Sequence, residues 1–146
     1  REAGDHRFRS LSIEGVPVFH DEARGAKRGG NIIFTWEMDG ARICHLGDLG
    51  HLLDEKALNS MGKIDVLMVP VGGVYTVDAG EARDVVAQLR PALVTPMHYQ
   101  TPHLTFDLEP LENFTRYFKR VRRVKCWKGT AADLPQEQEV LVFDYL

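Results

Sequence analysis

Ile64-Asp65-Val66-Leu67-Met68-Val69-Pro70-Val71-Gly72-Gly73, together with the pattern from Asp78 to Leu89 and with Ala92-Leu93-Val94-Thr95-Pro96, decides the fold. A continuous apolar run of this length, closed by a Pro and Gly loop, is the pattern of a strand buried on both faces. Asp78 with Glu81 three residues on forms a capping box, and Ala82, Val85, Val86 and Leu89 follow at i, i+3, i+4 and i+7, a helix with one buried face. Pro91 stops that helix, and the run from Ala92 to Pro96 is a second buried strand. Buried strands alternating with one-faced helices make a layered α/β domain.

Outward from this unit the strand patterns continue. Asn31 to Met38 and Ala41 to Leu46 are β-rich runs around Asp39-Gly40, a two-residue hairpin signal. Arg7 to Ile13 alternates polar and apolar residues, and Val16 to His20 follows Glu14-Gly15, so two short strands joined by a tight turn are expected. Asp21 to Asn31, rich in glycine and charge, reads as a loop. A short helix is expected from Asp54 to Ser60, ending near Gly62. Toward the carboxyl end, Asp107 precedes a predicted amphipathic helix with Leu111, Phe114, Phe118 and Val121 on one face and Pro110 in its first turn. Strands are expected at Arg122 to Trp127 and Glu139 to Asp144, with Gly129 to Gln138 as a polar loop between them.

The chain has 146 residues, 44% of them apolar, which suits one compact domain with a single core. Its 18 basic and 21 acidic side chains give a formal net charge of −3, so no long-range attraction draws it to nucleic acid or an anionic membrane. The one basic run, Lys119-Arg120-Val121-Arg122-Arg123, reads as a solvated helix end. Cys44 and Cys126 lie far apart in apolar segments and read as buried thiols of a reducing compartment. No apolar stretch is long enough to span a bilayer and no signal peptide pattern opens the chain, so a cytoplasmic location is expected. The start at Arg1, leading quickly into a strand pattern, raises the expectation of a further segment upstream.

Three strand patterns end in a side chain able to bind metal, and a loop begins there: Val16 to His20, Ile43 to Asp48, and Val94 to His98. In layered α/β folds ligands collect beyond the carboxyl ends of strands. His20, Asp48 and His98 are therefore candidate ligands, and two imidazoles with a carboxylate suit zinc, with manganese or iron as alternatives. Each alone has a plainer reading, a histidine hydrogen-bonded to backbone or an aspartate in a turn. No H-x-H, H-E-x-x-H or C-x-x-C pattern is present. No serine sits in a G-x-S-x-G elbow, and neither cysteine lies in a cationic setting that would activate a thiolate.

Phe19-His20-Asp21, His45-Leu46-Gly47-Asp48, Asp65 to Gly73, Tyr75-Thr76-Val77-Asp78, Glu81-Ala82 and Pro96-Met97-His98-Tyr99 occur in this order. The set resembles the second half of the metallo-β-lactamase superfamily, nearest to its ascorbate-6-phosphate lactonase-like, Zn-dependent hydrolase branch, over Val16 to Thr105. The resemblance implies an αββα sandwich, of which this chain would be the carboxyl-terminal portion, a mixed sheet flanked by helices. It further implies one or two metal ions at the edge between the sheets. By position His20 matches a ligand of the first ion, Asp48 the bridging carboxylate, and His98 a ligand of the second. The family's H-x-H-x-D-H loop has no counterpart here, so the chain is expected to hold half of the site and to be inactive by itself.

On this reading the intact protein hydrolyses a lactone or phosphoester, a small and in one version anionic substrate, with Asp48 and Tyr99 as catalytic residues. Tyr99 would donate to an oxyanion, although an aromatic just beyond a strand also packs well on a core. His45, His51, Tyr75, Thr76 and His103 are candidates for substrate contact or support of the ligands. Arg24, Lys27 and Arg28 could meet an anionic substrate or simply be solvated. Two other classes remain open: a non-catalytic binding or assembly module of the same fold, and a nuclease of the superfamily, which the acidic balance disfavours. The expected partners are the missing upstream segment or a second copy of the chain.

Overall fold

Asp39 at φ 51° and Gly40 at φ 78° form the two-residue turn that the Asp-Gly pair predicts, joining strand β3 (Gly30–Met38) to β4 (Ala41–His45). The structure is a computed structural model and describes residues 2–105 and 107–144. Before this hairpin lie β1 (Gly4–Phe8) and β2 (Leu11–Phe19), and after it come α1 (Glu55–Met61), β5 (Val66–Pro70), α2 (Ala79–Leu89) and β6 (Leu93–Met97). The last part holds α3 (Glu112–Thr115), β7 (Val121–Val124) and β8 (Glu139–Phe143). All eight strands form one sheet, in the order β1-β2-β3-β4-β5-β6-β8-β7. Pairing is antiparallel from β1 to β4 and parallel from β4 onward, which makes the sheet mixed, as expected.

The direction of the strands positions the site. Because β2 and β4 are both antiparallel to β3, β2 runs the same way as β4, β5 and β6. Their four carboxyl ends therefore share one edge of the sheet. Asp78 caps α2 with the full capping box, accepting from the Glu81 N–H while Glu81 accepts from the Asp78 N–H. Asp54 caps α1 and Gly62 ends it.

The buried side chains of α1, α2 and α3, among them Met61, Val85 and Phe114, join Val18, Ile33, Cys44, Leu67, Val69 and Val140 in one core on one face of the sheet. The register sets Ile13, Trp36, Ile43 and Val66 side by side on the opposite face, with Phe34, His45 and Met68 in the next row. That face is open. An apolar groove of about 700 Å³ runs along it, lined by Leu11, Ile13, Phe34, Trp36, Met38 and His45 among others. Among the described residues no helix is long and apolar enough to cross a membrane.

Four local expectations are corrected. The first turn falls at Arg9-Ser10, and Glu14-Gly15 lies inside β2, where Glu14 joins the Arg42 and Thr35 side chains in a polar cluster. The helix expected after Asp107 is short, α3 spanning only Glu112–Thr115. Phe114 and Phe118 still pack together, their ring centroids 4.7 Å apart, but Val121 has left the helical face for strand β7. From Val121 onward the basic run is thus an edge strand. Parallel pairing with β8 and the two-pronged Arg122 to Glu139 bond, both contacts 3.0 Å, hold it extended. Cys126 is exposed, whereas Cys44 is buried as expected.

Candidate active site

His20 follows β2, Asp48 lies three residues beyond β4, Tyr75 stands in the loop after β5, and His98 follows β6. These four side chains line one open pocket of about 350 Å³ at the shared edge. Asp48 is exposed, while His20 and His98 are half-buried. Nε2 of His20 and Nδ1 of His98 are buried and have no hydrogen-bond partner. An imidazole nitrogen held this way is under-satisfied, and such atoms in a pocket are free to take a ligand. The three candidate ligands share a pocket but not a point. Among the described residues no group of three His, Cys, Asp or Glu side chains is disposed to hold a single ion.

Two glycines let the loops meet at this edge. A Cβ on Gly50 would sit inside the contact distance of the His20 carbonyl, and one on Gly72 would overlap the His98 carbonyl oxygen. Backbone bonds reinforce both approaches, Gly50 N–H to Phe19 O at 3.2 Å and Val71 N–H to Met97 O at 3.0 Å. His98 itself takes φ 53°, a left-handed backbone that is uncommon outside glycine.

Two further residues position the site, Asn31 from outside every motif and Asp21 from within Phe19-His20-Asp21. Asn31, at the start of β3, donates from Nδ2 to Leu46 O at 2.7 Å and accepts from the Asp48 N–H at 3.2 Å, so it fixes the turn that presents Asp48. Asp21, next to His20, is buried, and its carboxylate accepts the backbone N–H groups of Ala23, Gly25, Lys27 and Arg28 at 2.7 to 3.1 Å. Burial alone would raise its pKa, but these four bonds hold it below the usual aspartate value. The Gly- and charge-rich segment is therefore an ordered loop built on one carboxylate. An Asp at the head of such a run was the available signal.

The remaining candidates are placed elsewhere or serve the backbone. Tyr99 packs half-buried against the hydrophobic core, and the pocket walls are formed without it. His45 lines the groove on the open sheet face, its Nδ1 accepting the Gly47 N–H at 3.0 Å. Burial lowers its pKa, which the nearby Asp48 charge offsets in part. His51 accepts the Phe19 N–H at Nε2, 3.1 Å, and Nδ1 lies 2.7 Å from Leu52 O, so both nitrogens tie loops together. Thr76 bonds to the neighbouring Val77 carbonyl at 3.2 Å, and His103 is an exposed residue of the loop after β6.

The sequence profile of the beta-lactamase superfamily domain matches residues 1–98 of the chain. A UPF0173 metal-dependent hydrolase of Thermoplasma acidophilum is 32% identical over 106 residues, covering 72% of this chain and 45% of that protein. Another, from Thermococcus onnurineus, is 37% identical over 102 residues, covering 68% of this chain and 46% of its own. The chain thus spans about half the length of these curated relatives. A crystal structure from Thermotoga maritima, described as a candidate Zn-dependent hydrolase of the metallo-beta-lactamase superfamily, superimposes with a TM-score of 0.85 at 38% identity, covering 98% of this chain and 70% of that one. With the profile over the first two thirds and this likeness over nearly all the rest, the chain belongs to the metallo-beta-lactamase superfamily, among relatives named as metal-dependent hydrolases.

Proposed function

We propose that the pocket of His20, Asp48 and His98 is one part of the metal centre of a hydrolase acting on a lactone or phosphoester. The observation that carries the reading is the pair of buried imidazole nitrogens, His20 Nε2 and His98 Nδ1, left without hydrogen-bond partners on one pocket with Asp48. Nitrogen and oxygen donors of this kind fit zinc, and manganese or iron also accept them. Bound there, such a cation would lower the pKa of water toward neutrality and polarise the substrate's acyl or phosphoryl oxygen.

The chain's own residues have separate tasks on this reading. His20 and His98 present imidazole nitrogens from strand ends, so the sheet holds their separation. Asp48 supplies the negative charge, and Asn31 and the Gly47 turn set its direction. Tyr75 forms the remaining wall, where a small substrate would lie. Among the described residues these three donors are not disposed around one point, so they do not by themselves close a tetrahedral shell.

Zinc titration of the isotope-labelled chain tests this directly. Zinc should shift the ring signals of His20 and His98 but not those of His51, with affinity far below that of complete structural zinc sites, about 10 to 16 kcal/mol in peptides. His20→Ala or His98→Ala should remove the response. Zinc that leaves both rings undisturbed would overturn the assignment.

A further inference from the structure

Beside the pocket, the ordered loop after β2 reaches across to the loop after β5. Its cations are not equivalent. Lys27 is paired with Glu22 on the same loop. Arg28 instead crosses 46 positions of sequence to donate from Nη2 to Val74 O at 2.9 Å, and its guanidinium carbon lies 5.6 Å from the centre of the Tyr75 ring. Tyr75 is a wall of the pocket. The backbone of Arg28 is pinned as well, since its N–H donates to the buried Asp21 carboxylate at 2.7 Å.

Val74 takes φ 60°, a strained conformation for a β-branched residue, and Val74 and Tyr75 are 54% and 45% exposed. The strained strap is thus held from outside by Arg28. A guanidinium carries five N–H donors, and one carbonyl with an aromatic face uses few of them. Among the described residues no carboxylate pairs with Arg28. A fixed fork with open donors and an uncompensated charge beside a wall of the pocket matches a phosphate or carboxylate in geometry and sign.

We propose that Arg28 is the substrate-recognition residue of this pocket, binding an anionic group, phosphate or carboxylate, of the molecule whose reacting bond lies at His20, Asp48 and His98. This rests on the reading of the pocket as a substrate site, but not on metal being bound there. The Tyr75 ring, its centre 5.6 Å from the guanidinium carbon, ties Arg28 to this wall of the pocket.

Inorganic phosphate, titrated into the labelled chain in chelator-treated buffer, probes the site without metal, and succinate serves as the carboxylate probe. Phosphate or succinate should shift the Arg28 Nε resonance and the Val74 and Tyr75 amides. Arg28→Ala should weaken binding about tenfold or more, as expected for loss of a charge-assisted contact. Arg28→Lys, which keeps charge but not the fork, should recover part of it, and Arg24→Ala should leave it unchanged. A tighter response to one probe identifies which anion the substrate carries. Binding in His98→Ala should persist, so failure of the metal reading and failure of this one are distinguished. Anion shifts spread over surface lysines, or unchanged affinity in Arg28→Ala, would overturn the proposal.

Discussion

Asp21 shows how much one side chain can organise. Its buried carboxylate gathers four amides of a segment that has no apolar anchor and so could not order itself by burial. The same residue sits between His20 and the loop that carries Arg28, so it couples a candidate ligand to a candidate substrate contact. The two thiols show the opposite case, in which similar local sequence meets different surroundings. Cys44 is fully buried in β4, and burial pushes its thiol up to about 12, while Cys126 is exposed beyond β7. In the native protein at neutral pH a thiol reagent should therefore modify Cys126 quickly and Cys44 only on the timescale of opening. Two equally fast thiols would contradict the burial of Cys44, and no free thiol in the unreduced, unfolded chain would contradict the absence of a disulfide.

At the scale of elements, the starts of β4, β5 and β6 are joined by Asp65. Its carboxylate accepts the Arg42 N–H at 2.9 Å and pairs with Lys63 at 2.9 Å, and its carbonyl accepts the N–H groups of Ala92 and Leu93, both at 3.0 Å. Burial by itself would raise the Asp65 pKa, yet the Arg42 amide and the Lys63 charge hold it below the usual aspartate value. A carboxyl depressed in the folded state contributes stability that is present above its unfolded pKa, about 3.9, and lost as pH falls through the folded value. Denaturant unfolding of Asp65→Asn should accordingly show a smaller loss of stability than the parent chain between pH 5 and acid conditions. Identical pH slopes in the two proteins would show that the carboxylate makes no such contribution. The same bonds matter to the far edge of the sheet, because β4, β5 and β6 carry Asp48, Tyr75 and His98 beyond their other ends.

For the molecule as a whole, the sheet is the dividing plane. One face is sealed by three helices and the other exposes the groove of Phe34, Trp36 and Met38, a polarity that leaves a large apolar surface facing water. Light scattering at micromolar concentration should show the isolated chain associating with itself, and Trp36→Glu in the groove should shift it toward monomer. A monomer at every concentration would show that the open face is tolerated in water.

The hairpin at Asp39-Gly40, the capped helix α2 and the buried strands β5 and β6 were legible in the sequence because each depends on interactions within a few residues: a turn that needs positive φ, a cap, a periodic face. The candidates His20, Asp48 and His98 were legible for a related reason, since a polar donor where an apolar run stops marks a strand end. What local pattern could not determine is which strand ends meet. The expected helix over Phe118 and Val121 had the right spacing, yet pairing with β8 drew Val121 into an edge strand. Tyr99 and His51 lie close in sequence to candidate ligands, and tertiary packing set one half-buried against the core and tied the other to Phe19 and Leu52. Asn31 and Arg28 met their partners only through folding, at separations from 15 residues for Asn31 and Leu46 to 46 for Arg28 and Val74. Composition and periodicity determined the layers, because burial acts on each residue where it stands. The pocket was decided only by the sheet's register and direction, which place four carboxyl ends on one edge and so make neighbours of residues the chain keeps far apart.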